Sequence, residues 1–173
     1  LVRRVRDTGL IFGVTYSFAS YPMVRQAREM IAAGEIGSVR QIHTEFFAEW
    51  FTEDIIATNK QAAWRSDPAR SGPAFCTADI GTHAHHMGRY VSGLEMTEVR
   101  AEVLRTGVAE MELDDTVFAM VRYGEVPGTL LATMVAPGNP GGLRFRIIGD
   151  KASLAWDHEN PEYLVYSRFG EPK

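Results

Sequence analysis

Residues 116–136, TVFAMVRYGEVPGTLLATMVA, contain two strand-like stretches joined by a short connection. Residues 116–123 and 129–136 are rich in apolar, β-branched and aromatic types, which favour β-strands. Gly124 and Glu125 lie between the two stretches and are typical of a turn. Because parallel strands need a long crossover connection, two strands this close in sequence pair antiparallel. The stretch therefore predicts an antiparallel strand pair in the second half of the chain.

Further strands and two helices are predicted around this pair. The other strand-like stretches are residues 10–18, 39–50, 99–105, 144–148, 153–156 and 162–167. One helix is predicted to begin at Pro22 and to end just before Gly34, which are the residue types favoured at those two positions. A second helix is predicted over residues 79–94. The sequence therefore predicts an α+β fold: a large, mainly antiparallel open sheet with helices packed on one face.

Composition and charge exclude several classes of protein. The 173 residues carry a formal net charge of -4, which disfavours nucleic acid or an anionic membrane as a partner. No stretch of about 18 apolar residues occurs, and the N-terminus lacks the apolar core of a signal peptide. A single cysteine, Cys76, excludes an internal disulfide. We therefore expect a cytoplasmic protein with neither a nucleic-acid nor a membrane partner.

The predicted sheet is larger than its helices can cover. Two helices cover only one face of a sheet with seven or more strands, so the other face is either polar or covered by a partner. The strand 116–123 is apolar on both faces, since Val117, Ala119 and Val121 alternate with Phe118 and Met120. We therefore expect a homodimer or tetramer that forms through the open sheet face.

The predicted helix 79–94 carries two adjacent stripes of side chains. The stripe expected to face the sheet is apolar and consists of Ile80, Ala84, Met87, Val91 and Leu94. One position earlier, Asp79, His83, His86 and Tyr90 repeat the same helical spacing. Asp79 stands at the predicted helix start, where a carboxylate is favoured by the helix dipole and by unpaired amide groups.

The polar stripe has three interpretations. In the first, Asp79 is only a helix cap and His83 is a hydrogen-bonded histidine at the border of the core. In the second, Asp79 orients the imidazole of His83 and favours its charged form, and His83 accepts a substrate proton near neutral pH. In the third, Asp79, His83 and His86 bind zinc. Three ligands on one helix converge poorly on one ion, so we predict no metal site.

Two other residue pairs could take part in chemistry. Arg65 follows Trp64, and an arginine beside an aromatic ring can bind a phosphate or a hydroxyl-rich ligand. Asp114 and Asp115 precede a strand. Adjacent residues at a strand start point to opposite sides, so this pair predicts a solvated turn rather than two cooperating carboxylates.

Four stretches in a fixed order cover nearly the whole chain. They are VTY at 14–16 with SYP at 20–22 and AGEIG at 33–37, then WR at 64–65, DIGTH at 79–83, and RIIGDKASL at 146–154. In this order they resemble the C-terminal domain of the glucose-fructose oxidoreductase / inositol dehydrogenase / rhizopine catabolism (Gfo/Idh/MocA) oxidoreductases. DIGTH is similar to the family's D-x-G-x-H helix start, and RIIGDKASL to its late hairpin.

The resemblance implies a function and a set of site residues. Members of the family carry an N-terminal Rossmann domain that binds NAD or NADP. The substrate lies between the two domains, and the enzyme oxidises a hydroxyl-bearing carbon of a sugar or cyclitol. Carried over to this chain, His83 is the general base and Asp79 its partner. Trp64 and Arg65 approach the cofactor or the substrate. Many members have Asp at the position of His86, which is a further candidate for facing the cofactor or the substrate. Apart from the resemblance, Tyr16 is a candidate because it lies on a predicted strand and could reach a cleft.

The chain also departs from the family pattern. It has no G-x-G-x-x-G sequence, so residues 1–173 correspond to the substrate-binding, catalytic and oligomerisation domain, without the Rossmann domain that binds NAD or NADP. We therefore expect this chain to be inactive by itself. Two other functions stay open: a sugar-sensing regulator of the same fold that lacks catalysis, and a metal-dependent lyase or isomerase.

Overall fold

A seven-stranded sheet forms the centre of the computed structural model, which describes residues 1–107 and 110–171. The strands are β1 Val39–Phe47, β2 Glu98–Leu104, β3 Thr116–Tyr123, β4 Val126–Thr133, β5 Gly142–Gly149, β6 Ala152–Asp157 and β7 Leu164–Arg168. Their order is β2-β3-β4-β1-β5-β6-β7. Neighbours are antiparallel except β1 and β4, which run parallel. The predicted α+β fold with a mainly antiparallel open sheet is confirmed.

The helices lie mostly in the first half of the chain. They are α1 Val2–Thr8, a 3-10 turn Ser17–Ser20, α2 Pro22–Ala32, α3 Lys60–Arg65, α4 Pro68–Ser71, a π-helical turn Thr77–Gly81 and α5 Thr82–Ser92. Helix α2 begins at Pro22, and Gly34 follows its end with a φ of +77°, a conformation that favours glycine. Within residues 1–107 and 110–171, no helix has the length and apolar character to span a membrane.

Helix α5 packs against one face of the sheet through its apolar stripe. Ile80, Ala84, Met87 and Val91 are buried, and Leu94 is half-buried, as predicted. Strand β1 presents alternate residues to the same core, including Ile42 and Phe46. Gly88 allows the close approach, since a Cβ on Gly88 would overlap the Tyr123 hydroxyl and lie 3.2 Å from Cγ2 of Thr44.

The opposite face of the sheet carries no helix in the described part of the chain. Val117, Ala119 and Val121 are buried in the core, whereas Phe118 and Met120 are 46% and 61% exposed on the open face. The alternation predicted for this strand is therefore confirmed.

The prediction of a strand over residues 10–18 is wrong. Residues 10–16 are irregular and are followed by the 3-10 turn. Leu10, Ile11 and Val14 are exposed, and no strand of the described sheet pairs with them. β-branched and aromatic residues favour a strand only where a neighbouring strand binds their backbone groups. The remaining predicted strands are confirmed, with ends that differ by a few residues.

Candidate active site

Asp79 and His83 stand on either side of a change in helix type. Asp79 lies within the π-helical turn Thr77–Gly81, and His83 is the second residue of α5. The backbone amide of Asp79 donates to the carbonyl oxygen of Phe75 at 2.8 Å, so Asp79 is already inside the helical segment. Its side chain caps no amide at the start of that segment. The interpretation of Asp79 as a helix cap is therefore wrong.

The carboxylate of Asp79 pairs with Arg65 instead. Nε of Arg65 donates to Oδ2 of Asp79 at 3.2 Å. A second guanidinium nitrogen of Arg65 donates to Oε1 of Gln61 at 2.7 Å, and the indole of Trp64 donates to the same oxygen at 2.8 Å. The Arg65 guanidinium also lies 4.4 Å from the centre of the Trp64 ring. Helix α3 therefore brings Arg65 to Asp79, with the Trp64 ring packed on the Arg65 guanidinium.

The imidazole of His83 is enclosed by aromatic rings. Tyr16, Phe18 and Phe46 meet it edge-on, with ring centres 5.3, 5.2 and 6.1 Å away. Its Nδ1 atom is buried and has no hydrogen-bond partner among the described residues. Burial lowers the pKa of His83, and the nearby charge of Asp79 acts in the opposite direction. The net pKa lies below the ordinary value of 6.5, so the imidazole is neutral at pH 7.

The proposed orientation of His83 by Asp79 has no hydrogen bond behind it in this structure. Within the described ranges, the side chain of Asp79 bonds to Arg65, and neither ring nitrogen of His83 bonds to Asp79. Asp79 does favour the charged form of His83, as expected, but the net pKa of His83 is still lowered. Burial is the larger effect here, because the aromatic rings replace water around the imidazole.

His86 and Tyr16 belong to a stacked column beside His83. The rings of Tyr16 and His86 stack with centres 4.2 Å apart and an interplanar angle of 8°. His86 also stacks on Tyr90, with centres 5.7 Å apart, and the guanidinium of Arg28 lies 4.6 Å from the Tyr90 ring centre. Burial lowers the pKa of His86, as do Arg89, His85 and His83. The column packs Tyr16 against α5.

A further histidine, His158, lies beside the His83 cluster, and no sequence pattern predicted this position. Nδ1 of His158 donates to the carbonyl oxygen of Gly141 at 2.9 Å, so its Nε2 accepts from the Tyr21 hydroxyl at 3.1 Å. The Phe18 ring lies edge-on to both His158 and His83, at 4.9 and 5.2 Å. His158 follows strand β6, and only the sheet topology brings it to the 3-10 turn.

Asp114 and Asp115 are not a solvated turn. They are 7% and 3% exposed, and each carboxylate accepts several short hydrogen bonds from a different loop. Asp114 accepts from Phe75, just before the π-helical turn, and from Thr77, its first residue. The two side chains do point apart, as adjacent strand residues must, but both point into protein. The prediction failed because the loops that cover them are distant in sequence.

Thiol and metal chemistry have little structural basis in this region. Cys76 is buried, and this burial, followed by the charges of Asp114, Asp115 and Asp79, raises the pKa of its thiol far above the usual range. Across residues 1–107 and 110–171, no group of three or more His, Cys, Asp or Glu side chains is arranged to bind a metal ion.

A prominent groove of the described chain lies away from the predicted site residues. This groove of about 580 Å³ crosses the open sheet face and is lined by residues that include His43, Arg144, Arg146 and Tyr163. The six predicted site residues form two groups joined by the site helix: Arg65 contacts both Asp79 and Trp64, and Tyr16 contacts both His83 and His86. The predicted site residues therefore lie on or beside one helical segment, and they do not line the groove of the open face.

Sequence comparisons relate the chain to oxidoreductases. Residues 24–155 match the family model described as GFO/IDH/MocA C-terminal domain. The chain is 34% identical over 171 residues to the uncharacterized oxidoreductase YfiI of Bacillus subtilis, covering 95% of the chain and 42% of that protein. It is 25% identical over 184 residues to the levoglucosan dehydrogenase of Pseudarthrobacter phenanthrenivorans, covering 92% of the chain and 45% of that protein.

Comparison with a solved structure supports both the fold and the family of this chain. The inositol dehydrogenase homolog of Azotobacter vinelandii in complex with NAD+ is 28% identical, with a TM-score of 0.92 over 99% of this chain and 45% of that one. The same homolog has also been solved with NADH and myo-inositol. The chain spans less than half the length of each of these relatives. It belongs to the GFO/IDH/MocA family, in which it corresponds to the C-terminal domain.

Proposed function

We propose that this chain is the substrate-binding half of an NAD(P)-dependent oxidoreductase that acts on a secondary alcohol of a sugar or cyclitol. The observation that carries the proposal is the neutral imidazole of His83, enclosed by aromatic rings beside an Arg65–Asp79 ion pair. Relatives named for inositol and levoglucosan support polyols as the substrate class. In this proposal His83 is the general base.

A neutral imidazole is the form of histidine that can accept a proton. Oxidation of a secondary alcohol to a ketone removes the hydroxyl proton and a hydride from the carbon. Because burial lowers the pKa of His83, the ring is ready as an acceptor at pH 7. Nδ1 is enclosed by protein, so we assign the acceptor role to Nε2.

The neighbouring residues have separate tasks in this proposal. Asp79 adds a negative charge near His83, which favours the imidazolium once the proton has arrived. Arg65 fixes the Asp79 carboxylate and, with the Trp64 ring, offers a donor and an apolar surface to a hydroxyl-rich substrate. Tyr16 packs against His83 and limits how far the imidazole can turn.

The chain does not contain a dinucleotide site of its own. NAD and NADP need a glycine-rich loop before a helix for the pyrophosphate, and the sequence has no G-x-G-x-x-G. We propose that NAD or NADP binds mainly to a Rossmann domain outside this chain. When bound, the nicotinamide would supply the hydride acceptor. Without that domain, we expect this chain to bind a polyol weakly and to catalyse no oxidation.

We further propose that the open sheet face forms a homodimer or tetramer. Phe118 and Met120 on strand β3 and Val165 on strand β7 are roughly half exposed or more on this face, and Val165 also lines the groove that crosses it. Apolar side chains exposed on one sheet face are typical of association surfaces. A second copy of the same sheet presents the same residues, as a two-fold interface requires.

The test of the proposed activity uses the protein expressed from its complete reading frame. NAD+ and NADP+ reduction is measured with myo-inositol, levoglucosan and related polyols. We expect His83→Ala to lower kcat by roughly 10²–10⁴ with little change in KM, as loss of a general base does. The control is His85→Ala, which removes a neighbouring imidazole of α5 that lies outside the site.

Other outcomes of the same assay would overturn the proposal. An unchanged kcat with a raised KM would assign His83 to binding alone. Absence of any NAD+ or NADP+ reduction, with polyol binding retained, would favour a sugar-sensing regulator. Activity that appears only with an added metal ion, and is lost with a chelator, would favour a lyase or isomerase.

A further inference from the structure

The carboxylate of Asp114 binds the backbone just before the site helix. Oδ1 accepts from the amide of Phe75 at 2.6 Å, and Oδ2 accepts from the amide and the hydroxyl of Thr77 at 2.7 and 2.6 Å. The peptide carbonyl of Asp114 accepts from the amide of Cys76 at 3.1 Å. One residue just before strand β3 thus accepts from three successive amides, and this residue is 7% exposed.

These amides are the ones that a helix start leaves without partners. The first amide groups of a helical segment have no carbonyl behind them and need an acceptor from elsewhere. A local residue usually provides it, and Asp79 was the candidate from sequence. Here the acceptor comes from Asp114, about 40 residues later in the chain. Since Asp114 binds these amides, the Asp79 carboxylate is left to pair with Arg65 at 3.2 Å.

We propose that Asp114 is a positioning residue of the site described above: it fixes the start of the helical segment, so that Asp79 meets Arg65 and His83 faces the substrate. The contribution of Asp114 to catalysis rests on the proposed function, whereas its effect on the position of Asp79 and His83 does not. A carboxylate is required, because in either orientation an asparagine would turn its NH₂ group toward one of the donors of Phe75 or Thr77.

Asp115 offers a matched control one residue away. Its carboxylate is 3% exposed and accepts from the amides of Thr106 and Gly107 at 2.7–2.9 Å and from the Thr106 hydroxyl at 3.0 Å. Burial, charge and number of donors therefore resemble those of Asp114. The loop that Asp115 binds follows strand β2 and does not lead into the site helix.

The experiment compares Asp114→Asn with Asp115→Asn in this chain by NMR. The reporters are the Nε–H resonance of Arg65, the imidazole titration of His83 and amide exchange over residues 78–83. We expect both variants to lose stability, but only Asp114→Asn to shift both side-chain signals and to speed exchange over 78–83 on the order of tenfold or more. Equal shifts in the two variants, or no shift in Asp114→Asn, would overturn the proposal.

A second pair of variants with smaller changes is used if Asp114→Asn or Asp115→Asn fails to fold. Thr77→Val removes one hydroxyl donor to Asp114, and Thr106→Val removes the corresponding donor to Asp115. We expect the same reporters to move in the Thr77 variant, by a smaller amount, and to stay unchanged in the Thr106 variant. Reporters that respond to both, or to neither, count against the positioning role.

The catalytic consequence is measured separately in the protein from the complete reading frame. We expect Asp114→Asn to lower kcat at least about tenfold more than Asp115→Asn does. If His83→Ala leaves kcat intact, the proposed function fails, whereas the NMR result on Asp114 stands. If His83→Ala abolishes activity but the two aspartate variants behave alike, the positioning role fails and the proposed function stands.

Discussion

His83 experiences two opposed effects on its pKa at the residue scale. Burial among Tyr16, Phe18 and Phe46 disfavours the charged ring, while the Asp79 carboxylate favours it. Burial is the larger effect, so the imidazole is neutral at rest. The carboxylate gains importance only when a proton arrives, because its charge then stabilises the imidazolium. This division of effects suits a group that must alternate between two charge states.

Asp79→Asn should extend the active range of the proposed enzyme to more acid pH while lowering its maximal rate. Removing the carboxylate removes the effect that raises the pKa of His83, so that pKa falls further below 6.5. The base is inactive when protonated, so the acid limb of kcat/KM moves to lower pH. Histidine NMR titration of this chain measures the same shift directly. The control is Glu162→Gln, which removes an exposed charge elsewhere; an acid limb that moves upward in Asp79→Asn would contradict the prediction.

Site residues divide into those that local sequence predicts and those that it does not. Asp79 and His83 lie in one five-residue motif, and Trp64 and Arg65 are adjacent, so pattern and resemblance identified them together. Asp114, which we propose as a positioning residue, and His158 beside the site make their contacts with segments far away in the chain. A sequence pattern describes neighbours along the chain, and it contains no information on which distant loop covers a carboxylate.

Helix α5 and strand β3 meet at the element scale through one unusual contact. The Tyr123 hydroxyl is buried under Gly88 and has no hydrogen-bond partner in the described part of the chain. Burial raises the pKa of Tyr123 to about 12. The absence of a side chain at Gly88 therefore leaves space for the Tyr123 hydroxyl, and this allows α5 to lie close to the sheet.

Gly88→Ala should destabilise the chain, and Tyr123→Phe should partly restore it. The added methyl group overlaps the Tyr123 hydroxyl, and overpacking of this kind costs about 1–3 kcal/mol of unfolding free energy. Tyr123→Phe removes a buried hydroxyl that lacks a partner, so alone it should be neutral or stabilising. Urea unfolding of the two single variants and the double variant measures the coupling. Strictly additive effects would contradict this account of the contact.

The elements themselves were predictable where periodicity and pairing agree. Strand β3 alternates buried and exposed residues as its sequence does, and α2 has the predicted bounds at Pro22 and Gly34. Residues 10–16 have strand-like composition but no partner strand in the described sheet, so they remain irregular. Composition reports how well a residue fits a sheet, and only the fold decides whether a neighbouring strand is present.

Acidification should destabilise the whole molecule, beginning below pH 6.5. Burial lowers the pKa of His43, His83 and His86 in the folded chain, whereas the unfolded chain keeps the ordinary value. Between these two values the unfolded state binds more protons, so stability falls as pH decreases through that range. Urea midpoints at pH 7.5 and 5.5 measure the loss. His43→Asn should narrow the difference between the two pH values, and an unchanged difference would exclude His43 from the effect.

The proposed association of chains through the open sheet face is tested by placing a charged side chain on that face. Met120→Lys should reduce the mass in solution to that of one chain, because a lysine on a sheet-to-sheet interface leaves an unpaired charge. Val99→Lys is the matched control. Val99 lies on the adjacent strand β2 and is similarly exposed, at 65% against 61%, but on the other face of the sheet. Light scattering that gives one chain for the unsubstituted protein would contradict the proposed oligomer.

The π-helical turn Thr77–Gly81 has a consequence for comparing and engineering proteins of this kind. A π-helical turn accommodates one residue more than an α-helical turn, so the segments before and after it are out of register with a regular helix. A relative with an uninterrupted helix would need a one-residue gap here for its side chains to be equivalent. Transplanting DIGTH onto an ordinary α-helix would therefore rotate Asp79 relative to His83. A functional graft would have to include the turn, together with an acidic residue from elsewhere to bind its first amides.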